Sequence, residues 1–214
     1  MERHPPLLRG PGSGRRPASA HAAVQPSLEG RALGDLKAIR ATLERSSRFT
    51  AVPGREAMGM GAIALAAGLI ASMAPPDAWL GTWLVAAVLA VALGAAGLWR
   101  KCRALETSLF AAPGRRFLLG LCPPLIAGSI LTAVLVSSGH HEHLAGMWLL
   151  LYGAGVTSGG TYSVPVVPLT GMCFLTLGAL TFLTPIGWGN VIMAIGFGGL
   201  HLAFGYVVVK RHGG

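Results

Sequence analysis

The sequence predicts an all-α integral membrane protein: six transmembrane helices, both termini cytoplasmic, and a cytoplasmic amphipathic helix ahead of the bundle. Three observations lead there. Only 12% of the 214 residues are charged and 52% are hydrophobic, whereas soluble domains average about 25% charged. Charge is nearly absent from two long stretches, since residues 57–99 contain only Asp77 and residues 117–209 only Glu142. All 17 Lys and Arg lie outside those stretches, in the N-terminal arm, the 100–116 connector and the Lys210-Arg211 end. Cytoplasmic loops carry this excess because positive charge resists translocation.

Residues 1–27 contain five prolines, many small or basic residues and no hydrophobic period, so a disordered basic arm is expected. Arg-rich, acid-poor arms also occur in organelle transit peptides. No cleavable signal peptide is expected, because the first apolar run begins near Ala57. Over residues 28–52, Leu33, Leu36, Ile39 and Leu43 recur at steps of three, three and four, which aligns them on one helical stripe. Arg40, Glu44 and Arg48 form an i,i+4 ladder elsewhere on that helix. The stripe is the candidate surface for the membrane interface, a partner helix or the bundle underside. Pro53-Gly54 then separates it from the bundle of residues 53–214.

Six apolar runs follow, each near the ~20 residues a bilayer requires: about 57–73, 79–99, 117–138, 144–159, 164–183 and 188–209. Pro75-Pro76-Asp77 makes a short outer turn. Pro123-Pro124 predicts a kink or break in the third span, because proline removes a donor and clashes with the preceding turn. Charge tests the count: six spans put both basic termini and the 100–116 connector inside, and leave only acidic Asp77 and Glu142 in the outer loops. Aromatic positions agree, with Trp79, Trp148 and Trp188 at outer ends and Trp99, Tyr162 and Tyr206 at inner ends, where interfacial belts are expected.

The net charge of +9 fits anionic lipid headgroups better than nucleic acid, because the basic residues flank apolar segments. Cys102, Cys122 and Cys173 are widely spaced and predict neither a disulfide framework nor a cysteine metal site. Cys102 stands among basic residues at a membrane edge, a setting that permits acylation; an inert reduced thiol is the expectation. No phosphate-binding, metalloprotease, nucleophile-elbow or dinucleotide motif is present. No charged residue lies mid-span, where ion-coupled transporters place their relays. Catalysis is therefore disfavoured and no cofactor is expected.

Three groups of residues carry candidate chemistry. His140, Glu142 and His143 form a metal-like outer cluster, with both imidazoles one helical turn apart; a solvated loop would use the same residues. His201 lies within the sixth span, where an ionisable group is costly and suggests function. Its structural role would be a neutral imidazole bonded to a neighbouring helix in a groove of Gly196, Gly198, Gly199 and Gly205. Thr157, Ser158, Thr161 and Tyr162, interleaved with glycines, complete the candidate ligand-binding set with His201. Alternatively they make a tight inner turn, with Gly155 and Gly159 permitting close helix approach.

The stretch DLKAIRATLERSSRFTAVPG at 35–54, running into a glycine- and alanine-rich span, resembles a type of uncharacterised bacterial multi-pass membrane protein. The end of the chain, from Trp188-Gly-Asn190 to Arg211-His-Gly-Gly214, is similar to the same group. The resemblance covers most of residues 30–214, implies a bacterial inner-membrane location and transfers no activity or site residue. The expected function is a non-enzymatic accessory subunit or regulator/sensor that binds a protein partner or an apolar ligand, in contact with the bilayer and its anionic headgroups. The alternative is a transporter or channel for a small neutral solute.

Overall fold

The computed structural model describes residues 33–37, 39, 43, 49–106, 110 and 112–212. Helix is the dominant structure among the described residues, with no strand. Two units are distinguished, Met1–Thr42 and Leu43–Gly214. In the first, residues 33–37 and 39 are helical and Leu33, Leu36 and Ile39 are more than half exposed. Leu43, in the second unit, is helical and exposed as well. The arm 1–27 and the Arg40, Glu44, Arg48 ladder lie outside the described residues.

Among the described residues, six long helices make up most of the second unit: α1 (Gly54–Met73), α2 (Ala78–Ala104), α3 (Ala112–Ser137), α4 (Leu144–Gly160), α5 (Val166–Thr181) and a composite α6 (Ile186–Arg211). Each sits on one of the six apolar runs. Four of them, α1, α2, α3 and α6, are long and apolar enough to cross a membrane. α4 and α5, with 17 and 16 residues, reach about 25 Å at 1.5 Å per residue, slightly less than the ~30 Å hydrocarbon core.

Local chemistry sets the boundaries. Pro75 and Pro76 follow α1, and Asp77 stands at the cap position of α2. Lys101 and Arg103 occupy the last turn of α2, where cations complement the helix dipole. Gly139 adopts φ +77° after α3, a conformation that glycine takes without strain. The amphipathic helix does not extend to residue 52: residues 49–52 are non-helical and Phe49 pairs with Ser163 in an isolated bridge. Pro53 disfavours a helical conformation just before it, which ends any helix ahead of that point. Nor does α3 break at Pro123-Pro124; helix continues through both prolines, as neighbouring packing in apolar surroundings allows.

Glycines repeat every seven residues on the tightest contacts. Gly54, Gly61 and Gly68 on α1 face Gly205, Gly198 and Ala194 on α6. Gly153 and Gly146 on α4 face Gly171 and Gly178 on α5. A seven-residue repeat returns to nearly the same helical face, so each pair presents a continuous small-residue seam that lets backbones approach. On the opposite flanks, α2 packs on α1 and α3 packs on α4. Gly155 and Gly159 serve the α3–α4 contact, standing against Leu121 and Phe117.

The result is two helix trios, α2–α1–α6 and α3–α4–α5, that meet where α6 lies against α4 and α5. α2 and α3 do not pack on each other to any comparable extent. The main core lies between the trios and includes Trp83, Leu149, Phe174 and Met193.

One end of the bundle gathers four chain segments. The Phe49 N–H donates to Tyr162 O at 2.7 Å, and the Ser163 hydroxyl donates to Phe49 O at 2.7 Å. Lys101 Nζ donates to Val52 O at 2.8 Å, and Phe49 stacks on Phe117 at 5.1 Å. Arg100 pairs with Glu56 at the same end. Cys102 is buried there against Phe49 and Ala51 rather than lying open at a membrane edge. Cys122 and Cys173 are exposed on the outer surfaces of α3 and α5.

Candidate functional site

Trp residues near helix ends can face lipid or the core, and spacing alone does not say which. Trp99 and Trp188 are exposed, as are Tyr162 and Tyr206, in keeping with interfacial belts. Trp79 and Trp148 instead turn inward, stacked on each other at 5.8 Å beside the core. Their ring faces are satisfied by each other and their N–H groups by protein acceptors, so the core position costs no hydrogen bond. Trp148 Nε1–H donates to Thr132 Oγ1 at 2.7 Å. Trp79 and Trp83 both donate to Asn190 Oδ1, at 3.2 and 2.9 Å, while Asn190 Nδ2 donates to Gly68 O at 2.9 Å. Asn190 thus ties α1, α2 and α6 together.

Below this indole layer, α6 changes its winding. Gly189–Met193 is α-helical, Ala194–Leu200 is π-helical and His201–His212 is α-helical again. The backbone N–H of His201 bonds to Gly198 O. Its usual α-helical acceptor, Phe197 O, instead takes the imidazole Nδ1–H at 2.8 Å. Nε2 lies 2.7 Å from Tyr152 Oη on α4. A carbonyl can only accept, so Nδ1 carries the proton; the neutral ring then accepts at Nε2 and Tyr152 donates. His201 is 5% exposed, and Tyr152, Phe174 and Phe197 surround it with ring centroids 5.3–6.3 Å away. The glycines expected around it serve elsewhere: Gly198 and Gly205 face α1, Gly196 faces Leu149, and Gly199 meets nothing nearby.

A cavity of about 280 Å³ opens beside this pair. Its inner wall is formed by Tyr152, His201, Phe197, Trp83 and Trp148. Its rim is formed by Leu84, Ala87 and Val91 of α2 and by Pro124, Leu125, Gly128 and Ser129 of α3. Leu84, Ala87, Val91 and Ser129 are exposed, so the mouth lies between the two helices that do not pack together.

The residues expected to accompany His201 sit elsewhere. Thr157, Ser158, Thr161 and Tyr162 do not line the cavity. Thr157 is pressed against Gly171, and its buried Oγ1 has no hydrogen-bond partner. The Thr161 hydroxyl donates to Thr157 O at 3.1 Å within the turn, and Ser158 and Tyr162 are exposed. The Arg116 guanidinium stands over the Tyr162 ring at 5.8 Å. This segment is the turn of the α4–α5 hairpin, and its hydroxyls share no pocket among the described residues.

His140, Glu142 and His143 do converge. Ligand atoms of His140, Glu142 and His143 lie within 4.8 Å of one another, and all three residues are exposed. Glu142 Oε1 is 3.3 Å from His140 Nδ1 and 3.6 Å from His143 Nε2. Its own backbone N–H, the His140 hydrogen bond and the nearby imidazole charges hold the Glu142 carboxyl below its usual range. The donor types suit a borderline divalent cation, whose nitrogen ligands bind at about 2.0–2.1 Å, but a cation there would keep most of its water.

The chain matches no protein-family model, curated protein or solved structure. The cavity must therefore be interpreted from its own chemistry. Tyr152, Trp83 and Asn190 are the site residues that sequence reasoning missed; a tyrosine or asparagine inside an apolar run was the available signal.

Proposed function

We propose that this protein is a six-span membrane protein of the bacterial inner membrane, with both termini cytoplasmic, that binds an apolar small molecule between α2 and α3. It acts as a non-enzymatic sensor or accessory subunit whose basic face meets anionic headgroups and a partner protein. The observation that carries the reading is the 280 Å³ cavity, apolar except for Tyr152, His201 and Ser129, with its mouth between α2 and α3, which do not pack closely on each other. Small-ligand sites start at about 300 Å³ and carry a few placed polar groups, so this cavity suits a compact ligand. A ligand dissolved in the bilayer would enter sideways, without crossing water.

Topology supports the six-span part. The α4–α5 turn bonds to Phe49, immediately ahead of α1, so that turn reaches the same end of the bundle as the start of α1. The excess of Lys and Arg at that end supports a cytoplasmic assignment. A pathway for a solute is less well supported, because the Thr157–Thr161 hydroxyls and His201 do not share one cavity.

Native mass spectrometry of protein released from its own membrane tests the proposal. A bound small molecule is expected in the wild type and should be lost in Ala87→Phe, which fills the mouth from an exposed position. Wild-type protein carrying nothing, or an adduct that persists unchanged in Ala87→Phe, would contradict it.

A further inference from the structure

The polar atoms around the cavity identify the kind of ligand it suits, on the reading that the cavity is a ligand site. Every side-chain donor on its wall is already engaged by the protein. Trp83 N–H goes to Asn190 and Trp148 N–H to Thr132. Ser129 O–H goes to Leu125 O, His201 Nδ1–H to Phe197 O, and Tyr152 O–H to His201 Nε2. The unused capacity is on the acceptor side: the Tyr152 oxygen, having donated its proton, keeps lone pairs, and so does Ser129 Oγ.

A ligand that can only accept, such as a ketone or ether, would find no donor and would lose its own hydration. A charged ligand would find no counter-charge among the lining residues, and an unpaired buried charge is very costly. We infer that the cavity takes a compact, uncharged apolar molecule bearing a hydroxyl group, which donates to the Tyr152 oxygen while its hydrocarbon body lies against Trp83, Trp148 and Phe197. This is a site for a lipid-soluble alcohol.

The test compares three probes of one skeleton, 4-tert-butylcyclohexanol, its methyl ether and 4-tert-butylcyclohexanone, on the full chain in phosphatidylcholine nanodiscs. Binding is followed through the change in tryptophan fluorescence, to which Trp83 and Trp148 contribute at the cavity wall, at matched probe concentration in the bilayer. The alcohol is expected to bind about fivefold or more tightly than the other two, the worth of one net hydrogen bond. In the double variant Tyr152→Phe/His201→Leu, which also removes the Nε2 acceptor that Tyr152→Phe alone would free, the preference should vanish while the ether still binds. The wild-type ratio stands alone if that variant does not fold. Equal binding of all three probes, or tighter binding of the ketone, would overturn the inference and leave the cavity as a ligand site. Failure of every probe to bind would overturn both.

Discussion

Asn190 shows how much one polar side chain can organise in an apolar bundle. It accepts from two indoles on α2 and donates to a carbonyl on α1, so its loss leaves two buried N–H groups without their acceptor. Interhelical hydrogen bonds in membranes average about 0.6 kcal/mol. Asn190→Ala should therefore destabilise the fold by about 2 kcal/mol, measured by thermal unfolding in detergent, and Trp83 emission should change with it. A variant as stable as wild type would show that the network contributes nothing. His201 was legible in the sequence because an ionisable group in an apolar span is conspicuous. Its partner Tyr152 was not, since a tyrosine reads equally as core filler or belt residue. The inward turn of Trp79 and Trp148 was hidden for a similar reason: position along a helix is visible in sequence, but the direction of an indole is set by packing.

At the scale of elements, glycine spacing determines which helices come close. A Cβ at Gly153 would stand 2.7 Å from Leu175 N and 2.9 Å from Gly171 O, both backbone atoms that cannot rotate away. A Cβ at Gly81 meets nothing within 4 Å. Gly153→Ala should cost about 1–3 kcal/mol through overpacking, whereas Gly81→Ala should be neutral or stabilise by up to about 1 kcal/mol through helix propensity. Melting temperatures of the two variants against wild type give the comparison; equal shifts would refute the seam as the determinant. The seven-residue steps of Gly54, Gly61 and Gly68 are present in the sequence, but 31 glycines obscure any one spacing. The helix boundaries were legible because charge and proline punctuate them. Continuity through Pro123-Pro124 was not, because a local rule predicts a break and apolar packing overrides it. The π-helical turn before His201 has no sequence period of its own, and it is what turns the imidazole toward Tyr152.

For the whole molecule, the proposed six-span topology requires that α4 and α5 cross the membrane despite their length, and α4 carries Tyr152 to the cavity. Cysteine accessibility follows from the same arrangement. Cys102 is buried under the bundle while Cys122 and Cys173 are exposed on helix surfaces in the apolar zone. A water-soluble maleimide, which needs the thiolate, should leave Cys102 unmodified in folded protein and label it on unfolding; rapid labelling of folded Cys102 would contradict the packing of residues 49–52. The most direct measurement uses a chain without its own cysteines and with Thr161→Cys, placed in the exposed α4–α5 turn. Six spans predict that an impermeant maleimide labels this cysteine in inside-out vesicles and not in intact cells. Labelling only from outside would reverse the proposed orientation, and labelling from neither side would make α4 and α5 a re-entrant pair; either result contradicts the six-span topology with cytoplasmic termini.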